Sequence, residues 1–175
     1  MSRLPDLTRE LTGRAKDTYD QMLAKRKAQG SGLRGLYIPL MNHPELAQHI
    51  EQLGYYLKFD GKLRRDAYQF IVLSMARRIG VAFEWEDHLT PAREAGLSDS
   101  LIESILKSDR ASIPHPYSVI LDVMDVVLEF KSIPESLQNE MIQLYGVQGV
   151  LEVVTLCGFY QTVGEITQAF DVPLP

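Results

Sequence analysis

The run over residues 63–79 is apolar around most of its circumference. Ala67, Phe70, Ile71, Leu73 and Met75, with Ser74 among them, occupy faces that a surface helix would give to solvent. A helix with so little outward side belongs at the centre, and other elements must surround it. At 175 residues and 45% hydrophobic composition, the chain can build one domain with such a core and is too short to expect two.

The flanking segments read as helices. Over residues 7–28, Leu7, Leu11, Tyr19, Met22 and Leu23 recur at roughly helical spacing in a polar surface helix, which the turn at Gly30 and Gly32 ends. No strand precedes those glycines and no Gly-Lys-Ser/Thr follows, so they make a turn and not a phosphate loop. Residues 33–41 form an apolar approach to the core that includes Arg34. Asn42 is expected to cap a helix begun by His43, Pro44 and Glu45, with Leu46, Ile50, Leu53, Tyr56 and Leu57 at the helical period, until Asp60 and Gly61 break it.

After the central helix another starts near Val81. Pro91 inside it is expected to kink or end it just past His88, since proline has no N–H for the carbonyl of Asp87. Gly96 suits a left-handed stop, and Ser98 or Ser100 opens a short helix to about Lys107. Residues 117–130 hold a β-branched run, Val119, Ile120, Val123, Val126 and Val127, that a strand would accept. Asp122, Asp125 and Glu129 fall between them with a period nearer four than two, so helix is expected. Pro134 starts a helix through Tyr145, and Gly146 to Gly149 lead into a long apolar helix over 150–170. Nothing reads as a strand. His43-Pro44 and His115-Pro116 each open the same order of helix, turn, helix, Gly-Val pair and helix, which suggests an all-α domain of two similar helical units.

A net charge of -5 argues against a nucleic-acid partner. The densest basic run, Lys25 to Lys27, reads as a solvated helix end. The single cysteine, Cys157, rules out a disulfide within the chain and fits a reducing compartment. The first ten residues lack the apolar core of a signal peptide, and no apolar run reads as long enough to cross a bilayer. A soluble cytoplasmic protein with no membrane partner is expected.

Glu84 and His88 are four residues apart, so on a helix both project from one face. A carboxylate beside an imidazole is a working acid–base unit, although that spacing more often makes an exposed pair. His43, His49, His88 and His115 are the only histidines, and none has metal-ligand spacing, so no metal is expected.

The stretch over residues 63–98, with Phe83, Glu84, Trp85 and His88 followed by Ala95, Gly96, Leu97 and Ser98, resembles the carboxymuconolactone decarboxylase family, whose fold is shared with alkylhydroperoxidase D. The run from Leu144 to Val154, with Gly158, Phe159 and Tyr160, is similar to that family's closing helix. The resemblance covers residues 33–175 as one domain and leaves 1–32 as an N-terminal helical extension. It implies an alkylhydroperoxidase D-like helical bundle and a symmetric homo-oligomer, a trimer or a hexamer. In the peroxidase branch two cysteines three apart precede the His and a Glu lies upstream. Those positions here are Val81, Glu84 and Gln69, so a disulfide-relay peroxidase is not expected.

The decarboxylase branch keeps an acidic residue and a His in this helix. The resemblance thus implies a cofactor-free lyase acting on a small lactone or carboxylic acid, with His88 donating a proton and Glu84 orienting it. Gln69 is then a candidate donor to the oxyanion, Trp85 a candidate pocket wall, and Arg34 or Arg77 a candidate clamp for a substrate carboxylate. Ordinary packing for Trp85 and ordinary ion pairs for the arginines stand beside those roles. The alternative to catalysis is a ligand-binding or assembly module of the same fold, with Cys157 as packing.

Overall fold

In the computed structural model, which describes residues 2–175, the segment expected at the centre is a helix buried over ten consecutive residues, Ala67 to Ala76. This helix, α4 (Arg65–Ile79), is preceded by α1 (Gly13–Lys27), α2 (Tyr37–Leu40) and α3 (Pro44–Tyr55), the last running into a π-turn over Tyr56–Asp60. It is followed by α5 (Ala82–Glu94), α6 (Asp99–Lys107), a 3-10 turn (Arg110–Ser112), α7 (Tyr117–Leu128) and α8 (Glu135–Ala169). The described residues contain no strand, and the chain is all-α.

Two units emerge from the packing. One holds residues 2–60 and 165–175, the other residues 61–164. In the first unit α1, set apart in the sequence as an extension, packs on α3. It begins at Gly13 and not near Leu7, because Asp6 accepts hydrogen bonds from the Thr8 backbone and hydroxyl and turns the chain there. The basic run at the end of α1 is only partly solvated. Arg26 is buried, its Nε donating to Glu51 Oε1 at 3.1 Å and its Nη2 to the Tyr37 hydroxyl at 2.5 Å. The cap of α3 also differs from expectation. His43, not Asn42, holds the N-cap, with Nδ1 accepting from the Leu46 N–H at 3.3 Å. The Asn42 side-chain amide instead donates to the carbonyls of Pro5 and Pro39.

The second unit is arranged on α4, against which α5, α6 and α7 pack. Gly80 closes α4 in the left-handed conformation at φ 71°, which glycine adopts without steric cost. Helix α5 neither ends nor breaks past His88. It continues through Pro91 to Glu94, because Ala92 is buried and the packing offsets the one hydrogen bond that proline removes. Gly96 then stops it, and Ser98 caps α6 by accepting from the Leu101 N–H at 3.2 Å. Helix α7 buries Val119, Ile120, Val123 and Met124, a helical stripe in spite of its β-branched content.

Helix α8 is two helical segments joined at Gly146, whose φ 70° and ψ 168° lie outside any helix. Its second segment turns Val153, Leu156, Cys157, Tyr160 and Val163 inward. Contrary to the sequence expectation, this helix is long and apolar enough by length and composition to cross a membrane, with a third (33%) of its most apolar window buried within the protein. Between Val147 and Gly164 the only charged residue is Glu152. That carboxylate is buried, and it accepts from the Lys62 N–H through both oxygens at 2.8 Å and from the Leu63 N–H at 2.9 Å, fixing the approach to α4.

Candidate functional site

Helix α5 presents Glu84, His88 and Ala92 at successive i, i+4 positions, and all three are buried. The Glu84/His88 pair therefore faces the core of the second unit and not solvent, each residue being 4% exposed. His88 Nε2 lies 3.7 Å from Glu84 Oε2, an ion-pair distance rather than a direct hydrogen bond. On the other side of the ring, Nδ1 lies 2.8 Å from Oε1 of Gln69, which α4 holds at 0% exposure. Oxygen atoms thus face both ring nitrogens. The arrangement accommodates a ring protonated at both, with Nδ1–H donating to Gln69 and Nε2–H directed at Glu84. The opposite orientation of the Gln69 amide would present an N–H to Nδ1 and leave the proton on Nε2.

Two tyrosines complete the surroundings. Tyr160 of α8 stands edge-on to the imidazole, centroids 5.9 Å apart at 86°, and Tyr68 of α4 lies 6.4 Å away at 49°. Their hydroxyls share a hydrogen bond of 2.6 Å. Neither tyrosine stands out from the spacing near His88. Tyr68 does sit next to Gln69, and Tyr160 closes the Gly158-Phe159-Tyr160 run.

Gln69 carries a further feature. Its Nε2 is buried with no hydrogen-bond partner, although the Oε1 of the same amide is engaged by His88. A buried amide N–H without an acceptor is costly, and it is a donor available to an oxygen that is not part of the chain.

The other residues singled out from the sequence have different settings. Trp85 is half-buried on α5. Arg34 is an exposed residue of the first unit, whereas the His88 cluster is built from side chains of the second. Arg77 is exposed, and its Nε donates to the Leu106 carbonyl at 2.6 Å. Cys157 is buried, and burial pushes its thiol up to about 11, so little thiolate is present near neutrality. Three pockets of the second unit, of about 360, 500 and 420 Å³, have walls that do not include His88. Among the described residues, no three His, Cys, Asp or Glu side chains come together as metal ligands.

No protein-family model matches the chain, and no curated protein matches it.

Proposed function

We propose that the protein is a carboxymuconolactone decarboxylase-like lyase of alkylhydroperoxidase D-like fold, acting without a cofactor on a small lactone or carboxylic acid through His88 and Glu84. The observation that carries the reading is the buried constellation of an imidazole, a carboxylate and the unpartnered N–H of Gln69. Buried acid–base pairs beside an unsatisfied donor are characteristic of reaction sites. The order helix, turn, helix, Gly-Val, helix, in α3 to α5 and again in α7 to α8, supports the fold.

The chemistry required is modest. In a lactone acid whose carboxylate is conjugated through the ring to a carbonyl, the bond to CO2 breaks and its electron pair moves into that carbonyl, giving an enolate oxygen. The Gln69 N–H stabilises this oxyanion by donating to it. The pair then returns to carbon, which takes the proton from His88 Nε2, and solvent later restores that proton. Glu84 holds the ring in place and favours the proton-bearing form before transfer. Tyr68 and Tyr160 keep the imidazole from turning and exclude water. Trp85 would wall the substrate space.

The same reading makes the protein cytoplasmic, with neither nucleic acid nor membrane as partner. The apolar content of α8 then serves the core and contacts between copies. Val147 and Leu151, one turn apart on α8, are 60% and 63% exposed, as suits a homo-oligomer, proposed to be a trimer or a hexamer.

The test is carbon dioxide release from 4-carboxymuconolactone and related lactone and β-keto acids, with wild type and His88→Ala compared. Release above the uncatalysed rate that disappears in the variant is expected. Release unchanged by the substitution, or none from wild type, would overturn the lyase reading in favour of a binding or assembly module. That none of the three pockets counts His88 among its lining residues suits that second reading.

A further inference from the structure

Ser74, Arg77 and Arg78 lie at i, i+3 and i+4 on α4 and share one face, which looks into a pocket of about 360 Å³. The opposite walls come from Ser104, Ile105 and Ser108 at the end of α6, from Arg110 and Ile113, and from Leu121 and Met124 of α7. None of the residues of the His88 cluster is among them.

Ser74 is 7% exposed, and its hydroxyl is buried without a hydrogen-bond partner. Hydroxyls inside helices ordinarily bond to the carbonyl one turn back. Ser104, Thr155 and Thr162 do so here, to the carbonyls of Ser100, Leu151 and Gly158. Ser74 does not, and a buried hydroxyl left in this state is destabilising unless something in the pocket accepts from it.

The three arginines are not equivalent. Arg78 pairs with Asp125, and Arg110 with both Asp122 and Asp125. Arg77 has no carboxylate partner among the described residues. The Leu106 carbonyl engages only its Nε, which orients the guanidinium fork and leaves both terminal nitrogens as donors. Asp109, also at the pocket, accepts from the Ser112 hydroxyl at 2.6 Å. The positive charge available to a ligand is therefore that of one guanidinium, not of a broad basic patch. Buried Ile105, Ile113 and Met124 supply an apolar wall.

We propose that this pocket binds a small monocarboxylate with an apolar body, the carboxylate bridging the Arg77 guanidinium and the Ser74 hydroxyl and the body lying on Ile105, Ile113 and Met124. A planar two-oxygen anion matches the fork of one arginine, and the apolar wall favours a hydrocarbon tail. With Asp122 and Asp125 already paired to Arg78 and Arg110, one free guanidinium remains beside Asp109, which is too little positive charge for a phosphate dianion. This site stands whether or not the His88 cluster is catalytic.

The probe is hexanoate, with benzoate as a second carboxylate and hexanol as the neutral analogue of matched chain length. The readout is the methyl signal of Met124 in methionine-labelled protein, assigned through Met124→Leu. The chain has six methionines, and Met124 alone lines the pocket, so the others report whether a variant stays folded. Hexanoate should shift the Met124 signal saturably while hexanol does so at least about ten-fold more weakly, as expected when a charge-assisted pair is lost. Arg77→Gln, an exposed substitution, should weaken hexanoate at least about ten-fold, and Ser74→Ala a few-fold. His88→Ala should leave binding unchanged. No saturable shift with either carboxylate, equal binding of hexanol, or full affinity in Arg77→Gln would overturn the assignment. Loss of binding in His88→Ala would overturn the independence of the two sites.

Discussion

Replacing Glu152 with alanine removes the acceptor of two backbone N–H groups at the approach to α4. Lys62 donates to both carboxylate oxygens and Leu63 to one, at 2.8 to 2.9 Å. Each orphaned donor costs about 1–3 kcal/mol when it cannot reach water. The bonds are partly buried, so some water can enter, and the lower half of the summed range applies, about 2–4 kcal/mol. A domain of this size holds roughly 5–15 kcal/mol in all, so the loss is a large fraction of it. Glu152→Gln keeps one carbonyl oxygen but turns an N–H₂ toward a backbone N–H, and should cost about half as much. Urea unfolding followed through the fluorescence of Trp85, the single tryptophan, measures both. With a slope of about 2 kcal/mol per molar urea, the middle of the usual range, the alanine variant should lose about 1–2 M in midpoint. A shift below about 0.3 M at unchanged slope would show that the carboxylate does not hold the turn.

Other substitutions test other parts of the structure. A Cβ at Gly164 would lie 2.5 Å from Ile79 Cδ1 and 2.8 Å from Val81 Cγ2. The end of Ile79 can turn away, but the β-branched Val81 is stiff, so overpacking of about 1–3 kcal/mol exceeds the gain of about 1 kcal/mol in helix propensity. Gly164→Ala should lower stability by about 1 kcal/mol, and a rise in melting temperature would refute this contact. For Asp66, burial pushes the carboxyl up, but bonds from Arg64 and Tyr117 outweigh it and hold the group below the usual carboxylate value. Its folded pKa is the lower one, so the stabilisation is complete above the ordinary value near 4 and is lost as pH falls through the lowered one. Asp66→Asn should flatten the acid limb of stability against pH, and an unchanged limb would refute it. Cys157, with its thiol raised to about 11, should resist iodoacetamide near pH 8 until urea is added. Alkylation of the folded protein at the rate of a free thiol would contradict its burial.

Local rules made much of the helical order legible. The aspartates of α7, spaced by three, outweighed the β-branched residues around them because a strand would have sent them to opposite faces. The failures occur where tertiary contacts decide. Pro91 passes within α5 because Ala92 packs inward, and Arg26 leaves solvent because Glu51 and Tyr37 wait for it. The competition between Asn42 and His43 for the cap depended on which side chain was drawn off by Pro5, a residue 37 positions away. For the candidate site, Glu84 and His88 were readable from a four-residue spacing and Gln69 from the family resemblance. The inward direction of the pair was not readable, because it requires knowing which face of α5 meets α4. Tyr160 reaches the imidazole from a different helix, and no local pattern announces that.

The Tyr68 and Tyr160 hydroxyls that share a hydrogen bond are separated by 92 residues of chain. On a ribosome adding about 5–20 residues per second, Tyr68 emerges roughly 5–20 s before its partner. During that interval α4 and α5 can form as helices, yet the imidazole lacks its edge-on neighbour and the apolar surface meant for α8 is open to chaperones or to another nascent chain. The surroundings of His88 are therefore among the last parts of the second unit to be completed, and a ribosome pause before Tyr160 would hold the protein in a helical but unfinished state.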